Sequence, residues 1–262
     1  MIEIAVTAAL IFIISLIFSM FGKGGGELYL PVMLTLLNIA FYTAAGISMF
    51  LIFLQSISMI FVYSHKHKLV DWKVALLLAT VVGISSFLGG FVSASVPAIY
   101  LKITFAVFLL ISAFLLFLNK TKEVKLGEFG VWHRRFSGGE YDVHIFYLVV
   151  SIAVAAFLAG MVGISGGGLI VPVAVLLGGM PLRVAMGTNT FLVLASSSMG
   201  FLGHAVNGGV DWSLCILFGI TIMVGSQIGS HLHAKINEKN LRVGLAAILF
   251  FAALWMILRS II

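Results

Sequence analysis

The chain has 262 residues, of which 61% are hydrophobic and only 9% charged, and its mean hydropathy is +1.20. A soluble domain carries about 25% charged residues, so that class is excluded, and one cysteine, Cys215, excludes an internal disulfide or a cysteine metal cluster. The net charge of +6 does not indicate a nucleic-acid partner, because the lysines and arginines fall between apolar runs, where membrane proteins keep them.

Those runs recur end to end and predict helices crossing a bilayer of about 30 Å. The first, 2–21, lacks a basic n-region and a small-residue cleavage site and reads as a span rather than a removed signal. Next comes the turn Gly22-Lys23-Gly24-Gly25-Gly26-Glu27. The apolar run after it, 28–37, reaches only about half way at ~1.5 Å per residue. Spans at 42–63, 72–97 and 100–118 complete a first half, residues 1–118. A polar connector, 119–143, holds Lys120, Lys122, Lys125, Arg134 and Arg135. The second half, 144–262, opens with a span at 144–162 and breaks at Gly163-Ile164-Ser165-Gly166-Gly167-Gly168. A short run at 169–177 and spans at 184–206, 212–228 and 241–262 follow.

The halves are copies. The register runs without a gap from Gly22 and Gly163 through Pro31 and Pro172 to Ala44-Ala45-Gly46 and Ala185-Met186-Gly187. Leu69-Val70-Asp71-Trp72 then matches Gly209-Val210-Asp211-Trp212 after a one-residue shift. The predicted fold is an all-α polytopic membrane protein built from two repeats, each with four long helices and one short helix behind a glycine-rich turn. Five segments per half invert the second half. With the connector in the cytoplasm and both termini outside, every lysine and arginine except Lys102 and Arg259 is then cytoplasmic. Four crossings per half would instead put Lys235, Lys239 and Arg242 outside. The loop His65-Lys66-His67-Lys68 is basic while its partner at 205–209 has no lysine or arginine, as inversion requires.

Helices broken at matching points of two repeats mark the substrate site of a transporter. Residues Gly24, Gly25 and Gly26, and Ser165, Gly166, Gly167 and Gly168, leave amides at helix starts without a preceding turn to bond. Such amides, with the helix dipole, form an anion site. Two turns meeting near the midplane would hold one small anion. Thr188, Asn189 and Thr190, and Ser48 in the other half, add uncharged donors; Gln55 and Ser196-Ser197-Ser198 are weaker candidates. Lys23 and Glu27 occupy the first turn only, where the second has Ile164 and Gly168. They are read as an edge ion pair or as an electrostatic and coupling element, and His204 as a further group that titrates near neutrality. Asp71 and Asp211 read as helix caps beside interfacial tryptophans, and Gly83, Gly89, Gly225 and Gly229 as packing positions. The histidines His65, His67, His231 and His233 form no metal set, and no metal or cofactor is expected.

Gly163-Ile164-Ser165-Gly166-Gly167-Gly168-Leu169-Ile170-Val171-Pro172, Ala185-Met186-Gly187-Thr188-Asn189 and Gly208-Gly209-Val210-Asp211-Trp212 resemble the signatures of the sulfite exporter TauE/SafE family. The weaker first copy from Gly22 does too, so the resemblance covers essentially the whole chain. It implies a multi-pass cell inner-membrane protein that moves sulfite, sulfoacetate or related organosulfur anions outward, with the two glycine turns and the Gly-Thr-Asn stretch as motif positions. The first half departs from that pattern at Lys23, Glu27 and Gly46-Ile47-Ser48. A membrane potential negative inside drives a monoanion outward by about 2.3 kcal/mol per 100 mV, so uniport suffices for export, whereas import needs a coupled ion, for which Glu27 is the candidate carrier. The rival readings are an anion channel or importer of the same fold, a membrane scaffold, and an intramembrane serine protease of rhomboid type. In the last, Ser165 of Gly163-Ile164-Ser165-Gly166 would be the nucleophile and His204 the base. Because Gly22-Lys23-Gly24-Gly25 stands at the same place in the first half, Ser165 reads as a variable position of a repeat, and the chain is not expected to be an enzyme.

Overall fold

A computed structural model of the chain describes residues 2–117, 130–136, 139–232 and 238–261. Lys120, Lys122, Lys125, His233 and Lys235, named above, lie outside the described residues. Among the described residues ten α-helices follow in order: α1 (Ile2–Ser19), α2 (Gly26–Leu36), α3 (Phe41–Phe61), α4 (Trp72–Ser93), α5 (Ala98–Phe117), α6 (Ile145–Val162), α7 (Gly167–Leu176), α8 (Leu182–Val206), α9 (Trp212–Leu232) and α10 (Glu238–Ile261). Among the described residues six stretches are long and apolar enough to cross a membrane: Ile2–Ser19, Phe41–Lys66, Trp72–Ser93, Ala98–Leu115, Ile145–Val162 and Trp212–Leu232. With 25 and 24 residues, α8 and α10 also have spanning length. By contrast α2 and α7, of 11 and 10 residues, cover about half a bilayer. The short helices start earlier than their apolar runs, because each absorbs glycines of the preceding turn.

Packing repeats as the sequence does. α1 packs on α9, as α6 does on α4; α4 packs on α8, as α9 does on α3; α2 touches α10, as α7 touches α5. The pairs α3–α8 and α5–α10 join the halves. Exchanging α1–α5 with α6–α10 maps this packing onto itself. Small residues allow the close crossings. A Cβ on Gly89 of α4 would overlap the Phe157 carbonyl of α6, and one on Gly229 of α9 would overlap the Leu16 carbonyl of α1. Large apolar side chains such as Ile84, Phe114, Ile220 and Phe251 face outward, as a lipid-facing surface requires. Inside lies a core with buried Phe18, Tyr29, Met33, Ile47, Phe105 and Phe218.

The connector brings the one β-structure among the described residues. β1 (Val131–Phe136) and β2 (Gly139–His144) pair antiparallel, with Arg134 opposite Tyr141. Tyr141 and Val143 are buried while Glu140 and Asp142 are exposed, the alternation of a half-buried strand. Read for charge alone, this stretch conceals its period of two. The loop after α3 is also ordered. α3 runs into a π-helical turn, Val62–Lys66, and the chain then reaches Asp71, whose Oδ1 accepts from the Lys73 and Val74 amides as a helix cap.

Candidate functional site

Each glycine turn is made by the end of one helix and the start of another. Gly22 and Gly163 take the left-handed conformation (φ +64° and +81°) that ends a helix and that glycine adopts without strain. Both lie hard against the other half: a Cβ on Gly22 would overlap the Met186 carbonyl of α8, and one on Gly163 would stand 2.5 Å from Cα of Ala45 in α3. Ala45 and Met186 are equivalent positions of the repeat, so the two contacts are the same contact made twice.

The turns therefore meet. A Cβ on Gly24 would come within 3.2 Å of Ser165 Oγ, and one on Gly26 within 3.0 Å of Ser48 Oγ and 3.2 Å of the Gly163 carbonyl. From the other side, a Cβ on Gly167 would lie 2.8 Å from Asn189 Nδ2 and 3.0 Å from Lys23 Cβ. Asn189 Nδ2 donates to the Gly22 carbonyl at 3.0 Å, tying α8 to the first turn. Of the predicted residues the structure thus assembles Lys23, Gly24, Gly25, Gly26, Glu27, Ser48, Ser165, Gly166, Gly167, Gly168 and Asn189, all of them buried.

Lys23 and Glu27 pair inside the protein. Both side chains are wholly buried, with Nζ 2.6 Å from Oε1 and Nζ 5.3 Å from the Phe18 ring centroid. That contact aside, Lys23 Nζ and both Glu27 oxygens have no hydrogen-bond partner, and neither have Ser48 Oγ, Ser165 Oγ and Asn189 Oδ1. Buried polar atoms in native proteins are nearly always paired, so this many unpaired ones in one place are informative. Backbone amides at the starts of α2 and α7 add to them, since a first turn has no carbonyl behind it. Pro31 and Pro172 lack the N–H that would bond the carbonyls of Glu27 and Gly168, which loosens both short helices beside the site.

Other candidates fall elsewhere. Thr188 Oγ1 accepts from the Asp71 amide at 3.0 Å; Thr190 Oγ1 donates to the Gly187 carbonyl in its own helix, so that only its methyl group faces the first turn, 3.3 Å from where a Cβ of Gly22 would stand. The His204 ring lies tilted against Tyr42, with centroids 5.1 Å apart, and its Nε2 contacts the Gly160 carbonyl at 3.0 Å. Ser165 Oγ has no partner, so no serine–histidine dyad forms. Gln55, a weaker candidate, is the clamp of the first turn. Its Oε1 accepts from the Gly25 amide at 3.1 Å and from the Tyr29 hydroxyl at 3.0 Å, while Nε2 donates to Ser19 Oγ at 2.9 Å. One uncharged amide at mid-span was its only mark in the sequence. Ser112 of α5, which borders Gly168, carried no such mark.

Residues 7–256 match the family model described as sulfite exporter TauE/SafE. The chain belongs to the TauE/SafE family. Relatives include the probable membrane transporter protein YunE of Bacillus subtilis, 31% identical over 84% of both chains. Another is the probable membrane transporter protein MJ0441 of Methanocaldococcus jannaschii, 27% identical over 94% of this chain and 92% of the relative. No solved structure matches. As a TauE/SafE protein the chain is a multi-pass membrane transporter and not an enzyme.

Beside the site, Asp71 joins the hairpin to the transmembrane helices. Arg134 Nη2 donates to its Oδ1 at 2.7 Å and Oδ2 at 2.9 Å, and the Tyr141 hydroxyl donates to Oδ2 at 2.6 Å. Burial alone would raise the Asp71 carboxyl; the hydrogen bonds from Arg134 and Tyr141, with the guanidinium charge and the Val74 amide, hold it below the usual carboxylate range. A chain of contacts thus runs from hairpin to Asp71, to Thr188, and through the adjacent Asn189 to the Gly22 carbonyl.

Proposed function

We propose that this protein exports small sulfite-type or organosulfur anions, such as sulfite or sulfoacetate, across the cell membrane by alternating access. Its halves act as inverted repeats, with the connector cytoplasmic and both termini outside. The anion is held where α2 and α7 begin, by amides of Gly24, Gly26 and Ser165–Gly168, by Lys23, and by the side chains of Ser48, Ser165 and Asn189, while Gln55 holds the Gly25 amide and so fixes the turn. Thr188 and Thr190 shape the wall behind Asn189. One observation carries this reading: unpaired buried donors from both halves converge at two half-helix N-termini. The family's description as sulfite exporter supports the cargo class. The buried turns correspond to an occluded state, and access from either side requires one repeat to move against the other.

Purified protein in liposomes tests this. Sulfite or sulfoacetate loaded inside is expected to leave faster than from empty liposomes, with saturation and counterflow. Unchanged permeability to both anions refutes the proposal, and non-saturating flux makes the protein a channel.

A further inference from the structure

The first turn supplies the second with a negative charge. Glu27 lies at the start of α2, yet its Oε1 and Lys23 Nζ each lie 3.3 Å from where a Cβ of Gly168 would stand, at the first turn of α7. Glycine at 168 is what admits the pair, and Ser112 Oγ borders the same point at 3.2 Å. A carboxylate against a lysine and another helix's opening turn sits where an anionic ligand would sit. Its Oε2 has no partner, so the protein holds this charge in a place that only half satisfies it.

We propose, building on the anion-transport reading, that Glu27 is a tethered competitor of the cargo, displaced from Lys23 by each anion and protonated as it leaves. The charge count requires it. Empty, the pair is neutral. A monoanion on Lys23 beside an ionised Glu27 would leave an excess negative charge away from water, which is strongly disfavoured. One proton taken from the solution on the open side forms an O–H bond on the Glu27 carboxylate and removes one negative charge, which restores neutrality for a monoanion and leaves a dianion such as sulfoacetate with a single excess charge; no bond in the anion is made or broken. The anion and the proton then cross together, and the charge moved is one less negative than the anion's own. Uniport driven by the full anion charge is thereby replaced by proton-coupled movement.

The surroundings leave Glu27 this role. Lys23 is its charged neighbour, and the Tyr29 phenol, held by Gln55, is the other titratable group close by. α3 presents Gln55 and Ser48, α5 Ser112, and α7 glycine. α1 offers Phe18, Ser15 and Ser19, and the described side chains of α10 carry no titratable group.

The test uses the full chain in liposomes with a pH dye inside and sulfoacetate as probe. Each sulfoacetate that crosses is expected to bring one proton in the same direction. A gradient of one pH unit at zero potential is expected to shift the equilibrium distribution of sulfoacetate about tenfold. Glu27→Gln, a mimic of the protonated acid, is expected to lower the number of protons moved per sulfoacetate from one to zero and to remove the pH-driven shift at equilibrium, readouts that do not depend on its transport rate, while Glu27→Asp restores both. Sulfoacetate flux without protons in the unaltered protein overturns the inference, and so does proton coupling that survives Glu27→Gln. If neither sulfite nor sulfoacetate moves, the transport reading itself falls and takes this inference with it.

Discussion

The two glycine turns make the same contacts with different chemistries, and their backbones differ at one equivalent glycine, Gly25 at φ −87° and Gly166 at φ +74°. Gly22 packs on Met186 as Gly163 packs on Ala45, and Gly26 approaches Ser48 as Gly167 approaches Asn189. Yet the first turn carries a buried lysine and glutamate where the second carries Ile164 and Gly168. Duplication supplies the frame, which needs small residues at the same places in both copies. It leaves charge free to diverge, because a buried ion pair in one copy serves both when the turns touch. Gly168 must stay small because the charges of the first turn lie against it.

Breaking the pair is the severest test of that contrast. Lys23→Met leaves Glu27 buried alone, and about 3–5 kcal/mol of destabilisation is expected, measurable as lost thermal stability in detergent together with lost flux. The double change Lys23→Ile with Glu27→Gly writes the second turn into the first. It removes both charges and is expected to recover most of that stability without recovering transport. If the symmetrised protein transports normally, the asymmetry of the turns has no functional meaning.

Filling the frame comes next. Gly25→Leu and Gly167→Leu put side chains where Tyr29, or Asn189 and Lys23, already stand. Overpacking costs about 1–3 kcal/mol, so both variants are expected to insert and remain monodisperse on size exclusion while flux is abolished. Equal loss at both turns supports a shared site. Loss at only one turn would assign the site to that copy alone, and normal flux in both would remove it from the turns.

The legible part of this molecule was the part written in period and in glycine. Apolar runs marked the spanning helices, and the clustered glycines, repeated in register, marked where they break. The convergence of the turns followed from the repeat. Burial was not legible: Lys23 and Glu27 read as an edge pair, because their sequence neighbours are glycines whether or not protein encloses them. Partnership across halves was hidden too. Thr188 resembles a ligand donor beside Asn189, and only the fold shows its hydroxyl bound to the Asp71 amide. The hairpin was masked because its buried residues, Tyr141 and Val143, alternate with charges expected of any cytoplasmic loop.

A second pair of repeat positions, Asp71 and Asp211, gives the gentlest contrast. Each caps the helix that follows, with Asp211 Oδ1 accepting from the Ser213 and Leu214 amides at 3.0 and 3.2 Å. Asp211 is exposed, whereas Asp71 is buried under Arg134 and Tyr141. Asp71→Ala is expected to cost about 2–3 kcal/mol, since it removes charge-assisted bonds as well as a cap. Asp211→Ala loses only a cap, about 1 kcal/mol. The two differ in acid as well. The native Asp71 carboxyl titrates below its unfolded value of about 3.9, so its contribution is complete above that value and disappears only as pH falls through the lower, native one. Trp132, whose ring lies 4.7 Å from the Arg134 guanidinium carbon, reports on the hairpin. Its fluorescence is expected to hold steady from neutral pH down to about 4 and to change below that, and Asp71→Asn is expected to abolish the transition. A transition that survives Asp71→Asn would mean that other acids hold the hairpin, and the difference between the two caps would then be one of burial alone.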